Sequence, residues 1–183
     1  MNELDHLVVA ARSLEEGAAW IESRLGVAPV AGGKHVTMGT HNRLLSLGPG
    51  LFLELIAVDP DAALPQRPRW FDLDTSQTRE RLERGPALIH WVERTDDLDA
   101  ALRADPMAGE IVPFSRGKYR WRMLLARDGS RPGAGARPTL IQGEGEHPSG
   151  ALPESGVRLE RFRHDGSALQ ATFSTPGGAR TIP

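Results

Sequence analysis

The chain has 183 residues, a formal net charge of −2 and no cysteine. The near-neutral balance excludes the basic field of a nucleic-acid-binding protein, and the lack of cysteine excludes disulfides, thiolate metal sites and a cysteine nucleophile. The length suits one large domain or two small fused modules. No apolar run approaches the roughly 18 residues of a membrane span and no signal-peptide pattern opens the chain, so we expect a cytoplasmic protein.

A short apolar strand with one histidine opens the chain at residues 4–9. Strand alternation predicts His6 and Val8 on one face and Asp5 and Leu7 on the other. If His6 faces a pocket it is a ligand or a base, and other segments must supply its partners.

A helix follows this strand. Ser13 is followed three residues later by a glutamate, which is a capping box, and Gly26 is a typical helix end. Residues 29–33 are predicted as a loop and residues 35–38 as a short strand.

A tight Gly-Pro-Gly turn at residues 48–50 separates two further strands, 44–47 and 51–58. Glu54 lies in the middle of the second strand, where an unpaired ionisable group is costly to bury. Two interpretations stay open: Glu54 acts in a pocket, or it forms a buried salt bridge with Arg43 or Arg122.

The second part of the chain repeats this order after a proline-rich connector and a short polar helix at residues 75–82. A strand carrying His90 precedes a helix capped at residues 95–97, and the last strand of the repeat, after two strand candidates, carries Gln142. His90 follows His6 by 84 residues and Gln142 follows Glu54 by 88 residues. The nearly constant offset predicts a duplicated module.

Two alternating segments, 157–162 and 168–173, lie near the end of the chain. Asp165-Gly166 between them is a hairpin signal. We predict an appended β-hairpin followed by a loose tail from Gly177.

These segments resemble the vicinal-oxygen-chelate superfamily and its glyoxalase-like branch. The resemblance rests on Leu-Asp-His-Leu-Val-Val at the start, Gly-Thr-His-Asn-Arg at 39–43, Phe-Leu-Glu-Leu-Ile around Glu54, and His90. It implies an α+β fold in which two βαβββ modules, about 1–60 and 86–148, form a half-open mixed barrel within a domain of residues 1–148. Residues 149–183 are then the hairpin and tail.

The resemblance also implies a divalent metal (zinc, iron, nickel or manganese) held by His6, Glu54, His90 and Gln142. Imidazole and carboxylate ligands suit these metals, and a metal with open positions polarises a substrate oxygen. Many relatives carry a carboxylate where this chain has Gln142. A neutral amide is a weaker ligand, and Gln142 has an alternative interpretation as a hydrogen-bonding residue across the barrel.

Other polar and aromatic residues are candidates for substrate binding. His41, Asn42 and Arg43 can recognise an oxygen-rich substrate or simply form a turn. Trp121 is a candidate pocket wall or a core residue. His147 is a candidate acid or base at the pocket mouth, beside Glu54 as the other catalytic candidate, or an exposed loop residue.

Two hypotheses about function follow. The first is a metal-dependent enzyme of the lyase, isomerase or dioxygenase type that acts on a small oxygen-bearing molecule. The second is a metal-free protein that binds or sequesters a small molecule in the same cleft, and a purely structural barrel is a third, weaker interpretation. The sequence leaves open whether the modules pair within one chain or between two chains of a homodimer, and it implicates neither nucleic acid nor membrane as a partner.

Overall fold

The computed structural model describes residues 2–183. The first module contains four strands and one helix: β1 (Glu3–Ala10), α1 (Leu14–Leu25), β2 (Val30–His35), β3 (Thr40–Ser46) and β4 (Phe52–Val58). A connector at residues 59–75 leads to helix α2 (Ser76–Glu83). The second module repeats the order of the first: β5 (Ala87–Arg94), α3 (Leu98–Ala104), β6 (Glu110–Arg116), β7 (Tyr119–Leu125) and β8 (Thr139–Glu144).

All eight strands form one curled mixed sheet in the order β2-β3-β4-β1-β5-β8-β7-β6. The first strands of the two modules, β1 and β5, pair antiparallel at its centre, and each also pairs in parallel with the last strand of its own module. The modules therefore meet within one chain. The predicted α+β half-barrel is confirmed.

Strand alternation divides the buried side chains into two cores. Leu7 and Val9 of β1 face α1 and belong to an outer core, whereas Val8 and Ala10 face the concave side and belong to an inner core. Because both faces of β1 and β4 are covered, these strands are apolar nearly throughout. Glu54 and His6 are thus polar exceptions within the best-buried strands.

The predicted helix caps are present in the structure. Ser13 Oγ accepts a hydrogen bond from the backbone N–H of Glu16 at 3.1 Å, and Gly26 ends α1 in the left-handed conformation. Asp97 caps α3 through the N–H of Ala100 at 2.8 Å. These side chains satisfy N–H groups that have no partner within the helix.

Residues 30–35 form the edge strand β2, where a loop was predicted for most of this segment, and residues 36–38 form a 3-10 turn where a strand was predicted. The glycines suggested a loop, but they lie in a strand, where the lack of a side chain lets Asn42 and Arg116 pack against the backbone. A Cβ atom on Gly32 would lie 2.1 Å from Asn42 Oδ1, and one on Gly33 would lie 2.6 Å from Cδ of Arg116. The two glycines therefore allow close packing within a strand, and the loop predicted from them is wrong.

The predicted C-terminal hairpin is present as β9 (Arg158–Asp165) and β10 (Ala168–Thr175). The predicted loose tail is instead a third strand, β11 (Gly178–Ile182), which pairs with β10. Its last residue, Ile182, is fully buried in the outer core together with Phe173, and this burial holds the strand in place. No helix among residues 2–183 is both long and apolar enough to cross a membrane.

Candidate functional site

A cleft of about 440 Å³ opens on the concave side of the sheet. Its apolar walls are largely aromatic: Phe52, Trp70, Phe71, Tyr119 and Trp121. Its polar residues include three histidines, four carboxylates, two amides and three arginines: His6, His35, His147, Asp5, Glu54, Asp96, Glu146, Asn42, Gln142, Arg94, Arg116 and Arg120. An apolar cleft with a few convergent polar groups is the usual form of a small-molecule site.

Asp5 and His6 both line this cleft although they are consecutive in β1. The register between β1 and β5 shifts between Leu4 and His6, so Asp5 is an extra residue in the ladder. Such a bulge redirects a side chain that regular alternation would place on the opposite face. The prediction that Asp5 faces away from His6 is therefore wrong.

Asp5 interacts with two histidines. His6 Nδ1 lies 2.6 Å from Asp5 Oδ1, and His147 Nε2 lies 3.0 Å from Asp5 Oδ2. Burial raises the pKa of Asp5, but hydrogen bonds from His147 and His6 outweigh burial and hold this pKa well below its usual range. An ionised Asp5 fixes the proton of neutral His6 on Nδ1, which leaves the lone pair on Nε2.

Glu54 lies on the cleft floor with 6% of its surface exposed. Its Oε1 atom accepts a hydrogen bond from Asn42 Nδ2 at 2.6 Å, and its Oε2 atom lies 3.7 Å from His6 Nε2. Neither arginine proposed as its partner contacts it, because Arg43 pairs with Glu15 and Arg122 pairs with Asp99. Of the four predicted ligands, His6 and Glu54 are the two that the fold brings together.

Asn42 is held in one orientation by three groups. Its Oδ1 atom accepts hydrogen bonds from the backbone N–H of Gly33 at 2.9 Å and from Nη1 of Arg116 at 3.0 Å, so its amide N–H groups point toward Glu54. The neighbouring candidates His41 and Arg43 do not line the cleft. In β3, alternation turns Asn42 inward and its two neighbours outward.

His35 is a further buried group beside Glu54. Its Nε2 atom lies 4.0 Å from Glu54 Oε1, and its Nδ1 atom lies 3.1 Å from the hydroxyl of Thr40. Burial lowers the pKa of His35 to about 4, and the positive charge of Arg116 adds to this effect while Glu54 opposes it. His35 is therefore neutral at pH 7.

His90 does not reach the cleft. It is fully buried, its Nε2 atom lies 2.9 Å from the hydroxyl of Thr139, and burial lowers its pKa to about 3. Phe71, which lines the cleft, packs 5.1 Å from the His90 ring and belongs to the inner core. Phe71 and Asp72 both have left-handed backbone conformations with φ of 60°, and Arg131 holds Asp72 at 2.7 Å.

Gln142 lies at the margin of the cleft, but its amide group is bonded to Arg122 and to the start of α3. Its Oε1 atom accepts hydrogen bonds from Nη2 of Arg122 at 2.8 Å and from the N–H of Leu98 at 3.2 Å, and its Nε2 atom donates to the carbonyl of Asp96. These contacts agree with the alternative interpretation, in which Gln142 is a hydrogen-bonding residue. In the strand register Val8 pairs with Glu54, and Val92, which follows Val8 by 84 residues, pairs with Thr139. The spatial counterpart of Glu54 is therefore Thr139, and the position matched by counting is not.

The predicted four-ligand metal site is therefore not assembled by this fold. Among residues 2–183, no group of three or more histidine, aspartate and glutamate side chains is placed to hold one ion. His6 Nε2 and Glu54 Oε2 converge, but one of the other two predicted ligands is packed behind Phe71 and the other is bonded to Arg122. The donor set does not fit the metal that the resemblance implies.

The remaining two candidates lie in the cleft. Trp121 forms part of its wall, stacks on Phe114 at 5.8 Å and approaches His35 edge-on at 6.3 Å. His147 closes the opposite side, where its ring meets Phe52 at 5.6 Å. Both therefore combine packing with access to a ligand.

Asp5, His35 and Arg116 are cleft residues that were not among the sequence candidates. For Asp5 there was a signal, since an acidic residue in an apolar strand next to a histidine needs a partner. His35 and Arg116 come from the two edge strands, β2 and β6, which lie near each other only because the sheet curls. Nothing in their local sequence shows this.

Comparisons with known proteins agree with the geometry. The pattern of the glyoxalase-like domain family matches residues 4–175. No curated protein matches the chain.

Three solved structures are similar to the chain. A hypothetical protein from Staphylococcus aureus is 14% identical, with a TM-score of 0.57 over 100% of this chain and 85% of that one. A hypothetical protein from Bacillus halodurans is 16% identical, with a TM-score of 0.50 over 79% and 95%. Methylmalonyl-CoA epimerase from Mycobacterium tuberculosis is 20% identical, with a TM-score of 0.49 over 81% and 91%. The family pattern matches most of the chain, and the curled sheet of two paired modules agrees with it. The chain therefore belongs to the glyoxalase-like domain family of the vicinal-oxygen-chelate superfamily.

Proposed function

We propose that this protein is an isomerase or lyase that transfers a proton at a carbon next to a carbonyl group in a small molecule. The observation that carries the proposal is the buried carboxylate of Glu54, which faces the aromatic cleft and the Nε2 atom of His6. A carboxylate in a dry site is a suitable general base, because little water competes for its charge.

The two oxygens of Glu54 have different environments. Asn42 binds Oε1, so Oε2 is the oxygen that can accept a substrate proton. His6 Nε2 lies on the far side of this oxygen, and Asp5 fixes the imidazole with its lone pair on Nε2. The proton that Glu54 takes from the substrate carbon passes across the 3.7 Å between Oε2 and Nε2 to the imidazole. The imidazolium then returns it to the substrate carbon or gives it to the leaving group, which restores both bases.

A deuterium-exchange assay tests this proposal without knowledge of the product. The protein is incubated in heavy water with a panel of small 2-oxo and 2-hydroxy acids and their thioesters, in the presence of a chelator, and loss of C–H signals is followed by NMR. We expect the wild type to exchange a carbon-bound proton of at least one compound. Glu54→Gln is expected to slow this exchange by roughly 10²–10⁴-fold, because the base is lost while the shape is kept.

Glu144→Gln is the matched control, since Glu144 is an exposed residue of β8 and does not line the cleft. The control is expected to exchange at the wild-type rate. Exchange that is equal in wild type and Glu54→Gln, or absent from the whole panel, contradicts the proposal. Exchange that needs an added divalent metal contradicts the metal-independent mechanism.

A second candidate function is binding without catalysis. The observation in its favour is the wall of five aromatic residues, together with a polar network in which Asp5 is already bonded to His6 and His147. This function predicts micromolar or tighter binding of an aromatic compound, unaffected by chelator, with no exchange of any carbon-bound proton.

A further inference from the structure

Arg116 is a cation bonded to the polar network around Glu54. It is the last residue of β6, and its side chain crosses the cleft to the edge of the first module, where its Nη1 atom donates to Asn42 Oδ1 at 3.0 Å. Gly33 of β2 leaves room for it, since a Cβ atom there would overlap the Cδ atom of Arg116. The fold therefore brings a half-buried guanidinium over the cleft floor.

This guanidinium has no carboxylate partner. Among residues 2–183, no aspartate or glutamate oxygen lies within 4.0 Å of Arg116, whereas Arg94 is paired with Glu3. Arg120, the third arginine that lines the cleft, donates two hydrogen bonds to backbone carbonyls of its own turn. The one hydrogen bond of Arg116 is the one to Asn42, although a guanidinium carries five N–H donors. Its remaining donors can bind an anion through two parallel hydrogen bonds.

Arg116 and Glu54 lie close enough to contact two parts of the same small ligand. The single amide group of Asn42 separates the two, because its Oδ1 atom contacts Arg116 and its Nδ2 atom contacts Glu54 Oε1 at 2.6 Å. A small ligand can therefore place an anionic group on Arg116 and a carbon atom within reach of Glu54.

The wall beside Arg116 favours a flat ligand. Tyr119 is its cross-strand partner in β7, and Trp121 follows two residues later on the same face. Trp121 and Phe114 are stacked with an interplanar angle of 21°, so the cleft presents an aromatic surface next to the cation.

We propose that Arg116 is a specificity-determining residue and that the substrate class is a small, planar 2-oxo or 2-hydroxy carboxylate. Its carboxylate binds Arg116, its flat part lies against Trp121, and the carbon next to its carbonyl or hydroxyl group faces Glu54. This proposal rests on the proposed function for the reacting carbon, but the recognition of the carboxylate stands without it.

Calorimetric binding tests the proposal with four probes: phenylpyruvate, benzoylformate, mandelate and 2-oxobutyrate, each compared with its neutral methyl ester. For at least one pair, we expect the wild type to bind the acid about tenfold or more tightly than the ester, as two charge-assisted hydrogen bonds would give. Arg116→Gln is expected to reduce this preference to about twofold or less.

Arg127→Gln is the matched control. Arg127 lies in the turn after β7, has a side chain that is 76% exposed and lies outside the cleft, so the same charge is removed with no expected effect on the preference. If Arg116→Gln does not fold, Arg116→Lys replaces it and is expected to weaken the preference about threefold or more, because an ammonium group lacks the planar fork.

A preference that survives in Arg116→Gln, or acids that bind no better than their esters, overturns the proposal. The measurements are repeated in Glu54→Gln, where the preference for acids is expected to persist. Binding preference without deuterium exchange therefore refutes the proposed function alone, and exchange without binding preference refutes the proposed substrate class alone.

Discussion

Asp5 lines the cleft and orients two of its histidines. It is 4% exposed and bonded to His6 and His147, and Nη1 of Arg94 lies 3.8 Å away. Without its carboxylate, His6 could carry its proton on either nitrogen. Asp5 is thus a positioning residue, and His6 Nε2 is a base because of it.

Asp5→Asn is expected to destabilise the fold by about 1.5–3 kcal/mol at neutral pH, because charge-assisted hydrogen bonds are lost. The pKa of Asp5 is lower in the folded chain than its ordinary value of 3.8. The stabilisation is therefore complete above pH 3.8 and is lost as the pH falls below it toward the folded pKa. Urea unfolding of wild type and variant should differ most near neutral pH and least in acid.

Asp165→Asn is the control for this experiment, since Asp165 is exposed at the end of β9. It should match the wild type at both pH values. A stability difference for Asp5→Asn that is unchanged between about pH 7 and pH 2.5 would refute the ionised network.

Strand β2 shows how an element without catalytic groups determines the site. Its two glycines admit Asn42 on one side and Arg116 on the other, and the N–H of Gly33 orients the Asn42 amide. The register of β2 against β3 is irregular at these glycines. The strand is thus shaped around two side chains from other strands.

Gly32→Ala is expected to destabilise the protein by about 1–3 kcal/mol and to displace Asn42 from Glu54, because the new methyl group overlaps Asn42 Oδ1. Thermal unfolding measures the first effect, and the rate of deuterium exchange measures the second. Gly150→Ala is the control, since Gly150 lies outside the cleft and nothing lies within 4 Å of a Cβ atom there. Equal loss in both variants would contradict the role assigned to Gly32.

The sequence predicted the order of elements, both modules and the first-module half of the site. His6 and Glu54 could be found because a polar residue in a buried strand stands out against apolar neighbours. His90 is also a polar residue in a buried strand, but Phe71 covers it. Phe71 lies in the connector between the modules and is placed there by a left-handed backbone conformation. Local pattern reveals that a side chain is buried, whereas the surrounding packing decides whether it meets a ligand.

Gln142 and Asp5 were misplaced for a different reason. A strand reverses the facing of its side chains at every residue, so a single bulge or a shift of one position changes the face. The shift at Asp5 is in the register between β1 and β5, and the one at Gln142 is in the spacing between modules. Neither is visible within a single strand segment.

At the scale of the whole molecule, the C-terminal sheet is part of the domain that carries the cleft. Phe173 and Ile182 share the outer core with Leu7 and Leu53, which belong to the same strands as His6 and Glu54. Strands β1 and β4 are therefore supported from behind by the end of the chain. We expect one cooperative unfolding transition.

Ile182→Ala is expected to destabilise the whole protein by about 2–5 kcal/mol, since this fully buried side chain leaves a cavity. Urea unfolding followed by both tryptophan fluorescence and circular dichroism should give coincident curves. Arg180→Ala, at an exposed position in the same strand, should have little effect. Two separate transitions would show that the C-terminal sheet folds independently.

The left-handed turn at Phe71 and Asp72 makes the two related halves of the barrel unequal. Each of these residues is strained by about 1–2 kcal/mol in this conformation, yet Arg131 and the carbonyl of Gly129 hold Asp72 in place. The half of the interior near Glu54 remains an open chamber, and the half near His90 is filled. The two modules place related positions near Glu54 and near His90, and this turn leaves the first accessible and fills the second with packed side chains.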